Sequence, residues 1–306
     1  MDRRDLLVNA ATLAFGAGLA TALSAPAEAS TTIQSFAPRA RVVTADGTAL
    51  FVRDWGQGAP VLFVHSWALH SAMWDYQIAP LLDLGCRCIA YDRRGHGRSD
   101  EPGAGYDFDT LADDLATVID TLGLNGVTLV GHSMGCSEII RYLTRHGRAK
   151  VARVVLLSPT TPFILKTDDH PEGFDGAMFA AVRGQWTRDF PKWVDDNAAP
   201  FVAPETSQGT RDWLRQMMMQ ASLAVLIACN KSLVETDFRQ ELAELSVPVL
   251  LIHGDHDASA PLPLTGQPTA ALIREVDFRV YEGAPHGLFV THMDRVNADI
   301  AAFLKV

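Results

Sequence analysis

The sequence predicts an α/β fold: a mostly parallel sheet with helices on both faces and a helical cap inserted late in the chain. Three observations predict it. Short apolar strands alternate with helical patterns from Val61 onward, as parallel strands joined by crossover helices require. Gly131-His132-Ser133-Met134-Gly135 stands between the apolar run 127–130 and a helix-like stretch at 136–146. The alternation then breaks over 160–243, where helical patterns and aromatic residues dominate.

Residues 41–44 and 49–55 read as paired strands joined by Asp46-Gly47. Further strands are expected at 61–65, 87–91, 127–131, 154–158, 249–253 and 278–282. They are apolar on both sides, the pattern of a sheet covered on both faces. Residues 110–122 carry Leu111, Leu115, Val118, Ile119 and Leu122 on one helical stripe, and a final helix is expected at 293–304. The inserted stretch holds Phe163, Phe174, Phe179, Trp186, Phe190, Trp193, Phe201 and Trp213. Most of these fill the cap's own core. Phe163, just past the 154–158 strand, is expected to face Ser133 and line a substrate pocket, with Trp186 and Met218 as further lining residues.

Residues before the fold carry their own signal. Met1-Asp2-Arg3-Arg4-Asp5-Leu6-Leu7 is followed by an apolar run to Ala22 and by Ala25-Pro26-Ala27-Glu28-Ala29. A charged start, an apolar middle and an Ala-x-Ala end form an export signal over 1–29, and the paired arginines resemble a twin-arginine leader. The alternative is an amphipathic helix or anchor. The expectation is a periplasmic or secreted protein starting at Ser30, with a core of 30–159 plus 244–306 and a cap at 160–243. No other apolar run reaches the ~20 residues of a membrane span, so no membrane partner is expected once the leader is removed.

The formal charge is −10. Removing 1–29 takes away two arginines and three acids and leaves −9. No basic stripe interrupts this acidic balance, which argues against nucleic acid as a partner. The four cysteines, Cys86, Cys88, Cys136 and Cys229, are too few for a disulfide scaffold in a chain of this length. Cys86 and Cys88 read as two buried thiols.

The Gly-x-Ser-x-Gly segment puts Ser133 on a sharp strand-to-helix turn with its hydroxyl exposed. The flanking glycines are needed because side chains there would strike neighbouring backbone. A serine hydroxyl needs a general base and a carboxylate that orients that base. In this setting the chain order is serine, then acid, then histidine. His286, in the loop Ala284-Pro285-His286-Gly287, meets that order best among ten histidines. His132 adjoins Ser133, but in a tight turn its side chain should point away. His65 and His253 end apolar strands and read as structural hydrogen-bonders. His70, His146, His170 and His292 read as surface or helix residues. The acid is Asp255 or Asp257, one of which caps its own turn, and spacing does not choose between them. His253, Asp255, His256 and Asp257 also admit a metal reading, but no further ligand cluster stands out. The oxyanion hole needs the N–H after the nucleophile, Met134, and one from the loop after the 61–65 strand, where Trp67 is the expected donor.

The chain resembles the α/β-hydrolases, and among them the cofactor-free haloperoxidase and aryl esterase group. The likeness is carried by Val64-His65-Ser66-Trp67, Met73-Trp74-Asp75-Tyr76-Gln77 and Tyr91-Asp92-Arg93-Arg94-Gly95-His96-Gly97-Arg98-Ser99. It continues through the elbow, Thr236-Asp237-Phe238, Val247-Pro248, His253-Gly254-Asp255-His256-Asp257 and Ala284-Pro285-His286-Gly287. The resemblance implies that Asp257 is the triad acid and Asp255 a turn anchor. It implies cleavage of a small carboxylic ester or lactone through an acyl-enzyme, with no metal or organic cofactor. Hydrogen peroxide can replace water in such sites and give a peracid. A carbon–carbon bond hydrolase and a hydrolase-fold binding protein with little turnover are the rival readings. Oligomeric state is not legible. Two departures from the family stand out: Ser66 where glycine is usual, and Cys136 where a further glycine is usual. Both are expected to put side chains beside the oxyanion hole.

Overall fold

The computed structural model describes residues 41–305; the expected leader and Ser30 lie outside them. The first strands, β1 (Arg41–Val43) and β2 (Ala49–Trp55), pair antiparallel across a turn at 44–48. Asp46 closes that turn by accepting from the Thr48 N–H, 3.1 Å. Six strands follow: β3 (Pro60–Val64), β4 (Arg87–Tyr91), β5 (Val127–His132), β6 (Val151–Leu157), β7 (Val249–Gly254) and β8 (Val276–Tyr281). The eight-stranded order is β1-β2-β4-β3-β5-β6-β7-β8. β2 runs antiparallel to both neighbours, and β3 to β8 are all parallel.

Alternate side chains of each central strand go to opposite faces. Leu62, Val64, Leu129 and Leu156 join one buried cluster with Leu111, Leu115, Val118 and Ile119 of α2 (Phe108–Thr121) and Ile139 and Ile140 of α3 (Met134–His146). Val61, Phe63, Val130 and Leu157 join the other. That one includes Ile78 and Leu81 of α1 (Asp75–Asp83) and Val296 and Ile300 of α10 (Met293–Leu304). α2 begins two residues before its expected start because Asp107 caps it, accepting from the Thr110 N–H at 2.9 Å. α1 and the short α8 (Gly266–Leu272) and α9 (Leu288–Thr291) were not legible as helices. α1 contains Pro80, and α8 contains Gly266 and Pro268, which blur the apolar period. All four cysteines are buried thiols.

Between β6 and β7 the chain passes through α4 (Gly176–Asn197), α5 (Gln208–Met218), α6 (Leu223–Glu235) and α7 (Arg239–Glu244). α4 is two helices joined at Asp189, whose backbone is non-helical. Asp189 caps the second half, accepting from Lys192 N–H at 3.0 Å, and Pro191 fits the start of that half. Ser207 and Ser222 cap α5 and α6. α7 packs on α3 and α8, and both α6, through Val225 and Cys229, and the segment 238–242 contribute to the main core. No single helix among the described residues is long and apolar enough to cross a membrane.

The sheet order reverses at β3, whose successor β4 lies on one side and β5 on the other. The carboxyl ends of strands beside such a switch open onto a crevice. The loop after β3 and the turn after β5 meet there.

Candidate active site

β5 ends at His132 and α3 begins at Met134, so Ser133 alone makes the turn. Its backbone sits at φ 54°, ψ −120°. That conformation costs a non-glycine residue about 1–3 kcal/mol. The surroundings hold it: the Ser133 N–H donates to the Leu157 carbonyl at 2.9 Å, and its own carbonyl accepts from the Cys136 N–H at 2.9 Å. A Cβ on Gly135 would lie 2.3 Å from the Val64 carbonyl oxygen, and one on Gly131 would lie 2.8 Å from the Gly135 carbonyl carbon. Both glycines are therefore required for the helix to start against β3. Ser133 Oγ makes no hydrogen bond to a described residue and is not sealed from solvent.

The loops after β7 and β8 bring the next two groups together. Asp257 Oδ2 accepts from His286 Nδ1 at 2.7 Å, and both side chains are buried. Asp257 Oδ1 accepts from the N–H groups of Ser259 (2.9 Å) and Ala260 (2.7 Å). His253 Nε2 lies 2.8 Å from the Ala260 carbonyl and 3.3 Å from Asp257 Oδ2. It must carry a proton to serve both acceptors. Burial alone would raise the pKa of Asp257, but the charge and hydrogen bonds of His286 and His253 overcome it and hold the carboxyl well below the usual range. Asp255 instead accepts from Gly283 N–H at 2.6 Å and anchors the neighbouring turn. Three of the four side chains, His253, Asp255 and Asp257, are thus committed to protein partners, and no three His, Cys, Asp or Glu side chains converge on a metal position among the described residues.

His132 departs from expectation. Its ring does not point away but packs 4.7 Å from the His286 ring. It is fully buried, and its Nε2 donates to the His286 carbonyl at 2.8 Å. The residue beside Ser133 therefore ties β5 to the His286 loop. Phe201 was also missed as a site residue. Its carbonyl accepts from Gly287 N–H at 2.7 Å, and its ring lies 5.6 Å from that of His286. Only its place in an aromatic-rich insertion hinted at it.

The loop after β3 is built around Trp67. Neither its N–H nor that of Met134 has an acceptor among the described residues. The first N–H groups of α3 have no intrahelical partner, and they carry the positive end of the helix dipole. The Trp67 indole donates to the Leu226 carbonyl at 2.9 Å and stacks on Trp186 at 4.8 Å. Trp186 is thus packed against that indole and against Phe190 and Trp193, which makes it part of the aromatic cluster joining insertion to loop rather than a free pocket wall. Phe163 is buried with its ring 5.8 Å from His170 and 5.5 Å from the Arg239 guanidinium, at the base of the insertion. Met218 is half-buried and touches two core clusters.

The two departures separate. The Cys136 thiol is fully buried and donates to the Leu157 carbonyl at 3.5 Å. It faces the core under the elbow, contrary to its expected place beside the oxyanion hole, and burial raises its pKa. Ser66 Oγ has no hydrogen-bond partner among the described residues and keeps solvent contact. His70 is a further correction: it is buried, and its ring accepts from Ala72 N–H at 3.3 Å.

The model of the alpha/beta hydrolase fold matches residues 59–293. The chain belongs to that family. It is 39% identical to a non-heme chloroperoxidase of Kitasatospora aureofaciens, over 86% of this chain and 98% of that protein. It is 36% identical to a bifunctional esterase/perhydrolase of Acinetobacter calcoaceticus, over 86% and 99%. An esterase structure from Exiguobacterium antarcticum superimposes with a TM-score of 0.84 at 30% identity, covering 87% of this chain and 99% of that one. The resemblance to the haloperoxidase and esterase group read from the motifs therefore holds across most of the chain.

Proposed function

We propose that this protein is a serine hydrolase that cleaves small carboxylic esters or lactones through an acyl-enzyme. One observation carries the reading. The Asp257–His286 pair at 2.7 Å is tied through the His286 carbonyl to His132, the neighbour of a serine held in a strained turn, and the N–H groups of Trp67 and Met134 lack acceptors among the described residues. Asp257 accepts the Nδ1 proton of His286, which leaves Nε2 as the basic nitrogen. Nε2 takes the Ser133 proton as Oγ attacks the carbonyl carbon. The Trp67 and Met134 N–H groups bind the oxyanion, a contribution of about 3–4 kcal/mol for one well-aimed donor. His286 returns its proton to the leaving alcohol, then draws one from water to release the acid. The serine–histidine hydrogen bond forms with substrate, since such contacts are often loose in the free enzyme.

Perhydrolysis is the second reaction the site supports. The haloperoxidase and esterase/perhydrolase relatives favour it, and it needs only hydrogen peroxide in place of water at the acyl-enzyme. The test is turnover of p-nitrophenyl acetate by the wild type, Ser133→Ala and His286→Ala. Each variant should lose about 10⁴-fold in kcat with its fold intact. Undiminished turnover by Ser133→Ala would overturn the reading. Absence of turnover of every ester and lactone by the wild type would favour the carbon–carbon hydrolase or the binding protein.

A further inference from the structure

A buried charge network joins the loop after β3 to α3, and the reaction as written does not use it. Arg93 and Glu138 have no solvent exposure, and Arg93 Nε donates to Glu138 Oε2 at 2.7 Å. The Tyr91 hydroxyl donates to the other carboxylate oxygen. Arg93 Nη2 donates to the His65 carbonyl at 2.8 Å, and Nη1 lies 3.4 Å from the Ser66 carbonyl. The Arg93 backbone N–H donates to His65 Nε2 at 2.8 Å. That bond makes Nε2 the acceptor, so His65 Nδ1 carries the proton and donates to the Ser66 carbonyl at 2.8 Å. Burial and the neighbouring Arg93 charge hold His65 neutral, in keeping with that tautomer.

The Ser66 carbonyl belongs to the peptide whose N–H is that of Trp67. In a trans peptide the carbonyl and the N–H point in opposite directions. A carbonyl pinned towards Arg93 and His65 therefore turns the Trp67 N–H away from them, out of the loop. We propose that Arg93, held by Glu138, is a positioning residue that fixes the Ser66–Trp67 peptide plane and so aims the Trp67 N–H at the oxyanion. Glu138 stands on α3, the helix that supplies the Met134 N–H, so the pair spans both elements that contribute a donor. A buried ion pair is weak as a source of stability, because desolvation offsets much of the attraction. Orientation is what a planar fork adds that an apolar side chain lacks.

This inference rests on the serine hydrolase reading, and the test separates the two. Arg93→Lys keeps the charge but loses the fork, and Glu138→Gln keeps the guanidinium but weakens its anchor. Each would be measured in the full-length protein for kcat and KM on p-nitrophenyl acetate, for inhibition by phenylboronic acid, and for folded fraction by circular dichroism. The boronate forms a tetrahedral adduct on the serine, so its affinity reports the oxyanion hole. Arg93→Lys should lower kcat by about 10-fold or more per folded molecule. KM should stay within about 3-fold, and boronate affinity should fall in parallel with kcat/KM. A merely structural role would lower activity only through the folded fraction. A folded Arg93→Lys with wild-type kcat and boronate affinity would overturn the proposal. If that variant does not fold, Glu138→Gln decides: a smaller loss in the same two quantities supports it, and no change refutes it. Hydrolysis that survives Ser133→Ala would instead defeat the parent reading, whatever Arg93 does.

Discussion

Replacing Asp257 by asparagine exchanges one carboxylate oxygen for an amide nitrogen in a fully partnered site. The amide oxygen can keep the N–H groups of Ser259 and Ala260, which Oδ1 now accepts at 2.9 and 2.7 Å. The amide nitrogen then faces His286 Nδ1, 2.7 Å from the present Oδ2. Two donors cannot face each other, so Nδ1 must become the acceptor and Nε2 must carry the proton. His286 in that tautomer cannot take the Ser133 proton. His253 loses little, because its Nε2 proton still has the Ala260 carbonyl at 2.8 Å. Asp257→Asn should therefore lower kcat by about 10⁴-fold, near 5.5 kcal/mol of barrier, with little change in KM. Asp255→Asn is the control. Its amide oxygen still accepts from Gly283 N–H, and kcat should stay within about 3-fold. Steady-state kinetics on p-nitrophenyl acetate with thermal melts of all three proteins would decide. A well-folded Asp257→Asn within tenfold of wild type, or a larger loss in Asp255→Asn, would refute the tautomer argument.

Ser66→Gly removes a hydroxyl that has no partner among the described residues. It should shift preference towards bulkier acyl groups by a few-fold at most, and an unchanged acyl-length series would mean that Ser66 is a loop residue only. Burial, with the charge of His286 against His132 and of Arg93 against His96, pushes both histidines down to about 3 from 6.5. The unfolded chain binds their protons between those values and the folded one does not, so their contribution is complete above pH 6.5 and shrinks as pH falls towards 3. Urea unfolding at pH 7.5 and 5.5 should differ by about 1–3 kcal/mol, less in His96→Gln, and equal stabilities would contradict neutral buried rings. A fusion of residues 1–35 to a reporter should reach the periplasm and be blocked by Arg3→Lys with Arg4→Lys; export that survives both changes would point to the general secretory route.

What the sequence made legible follows the range over which each signal acts. The elbow is local: Ser133, Gly131 and Gly135 interact with one another and with an adjacent strand, and spacing alone reveals that. The Asp257–His286 meeting depends on loops after neighbouring strands, and chain order anticipates it. The choice between Asp255 and Asp257 was not legible from spacing, because both follow the same strand and each caps a turn. Helices α1 and α8 were hidden by proline and glycine. The Arg93–Glu138 pair joins residues 45 apart in sequence, and His132 meets a loop 154 residues away. Such contacts leave no periodicity to read. The insertion was least legible of all, since apolar residues there say that something is buried but not against what.

Trp67 serves two masters with two parts of one residue. Its backbone N–H belongs to the proposed reaction, while its indole is held by Leu226 and stacked on Trp186 in the insertion. A change in the insertion that repacks Trp186 would disturb the ring stacked on the residue proposed to bind the oxyanion. On the proposed reaction, substrate range and turnover are therefore not independent traits in this chain. A lineage drifting towards a larger substrate would pass through slower enzymes unless the loop after β3 changed with it.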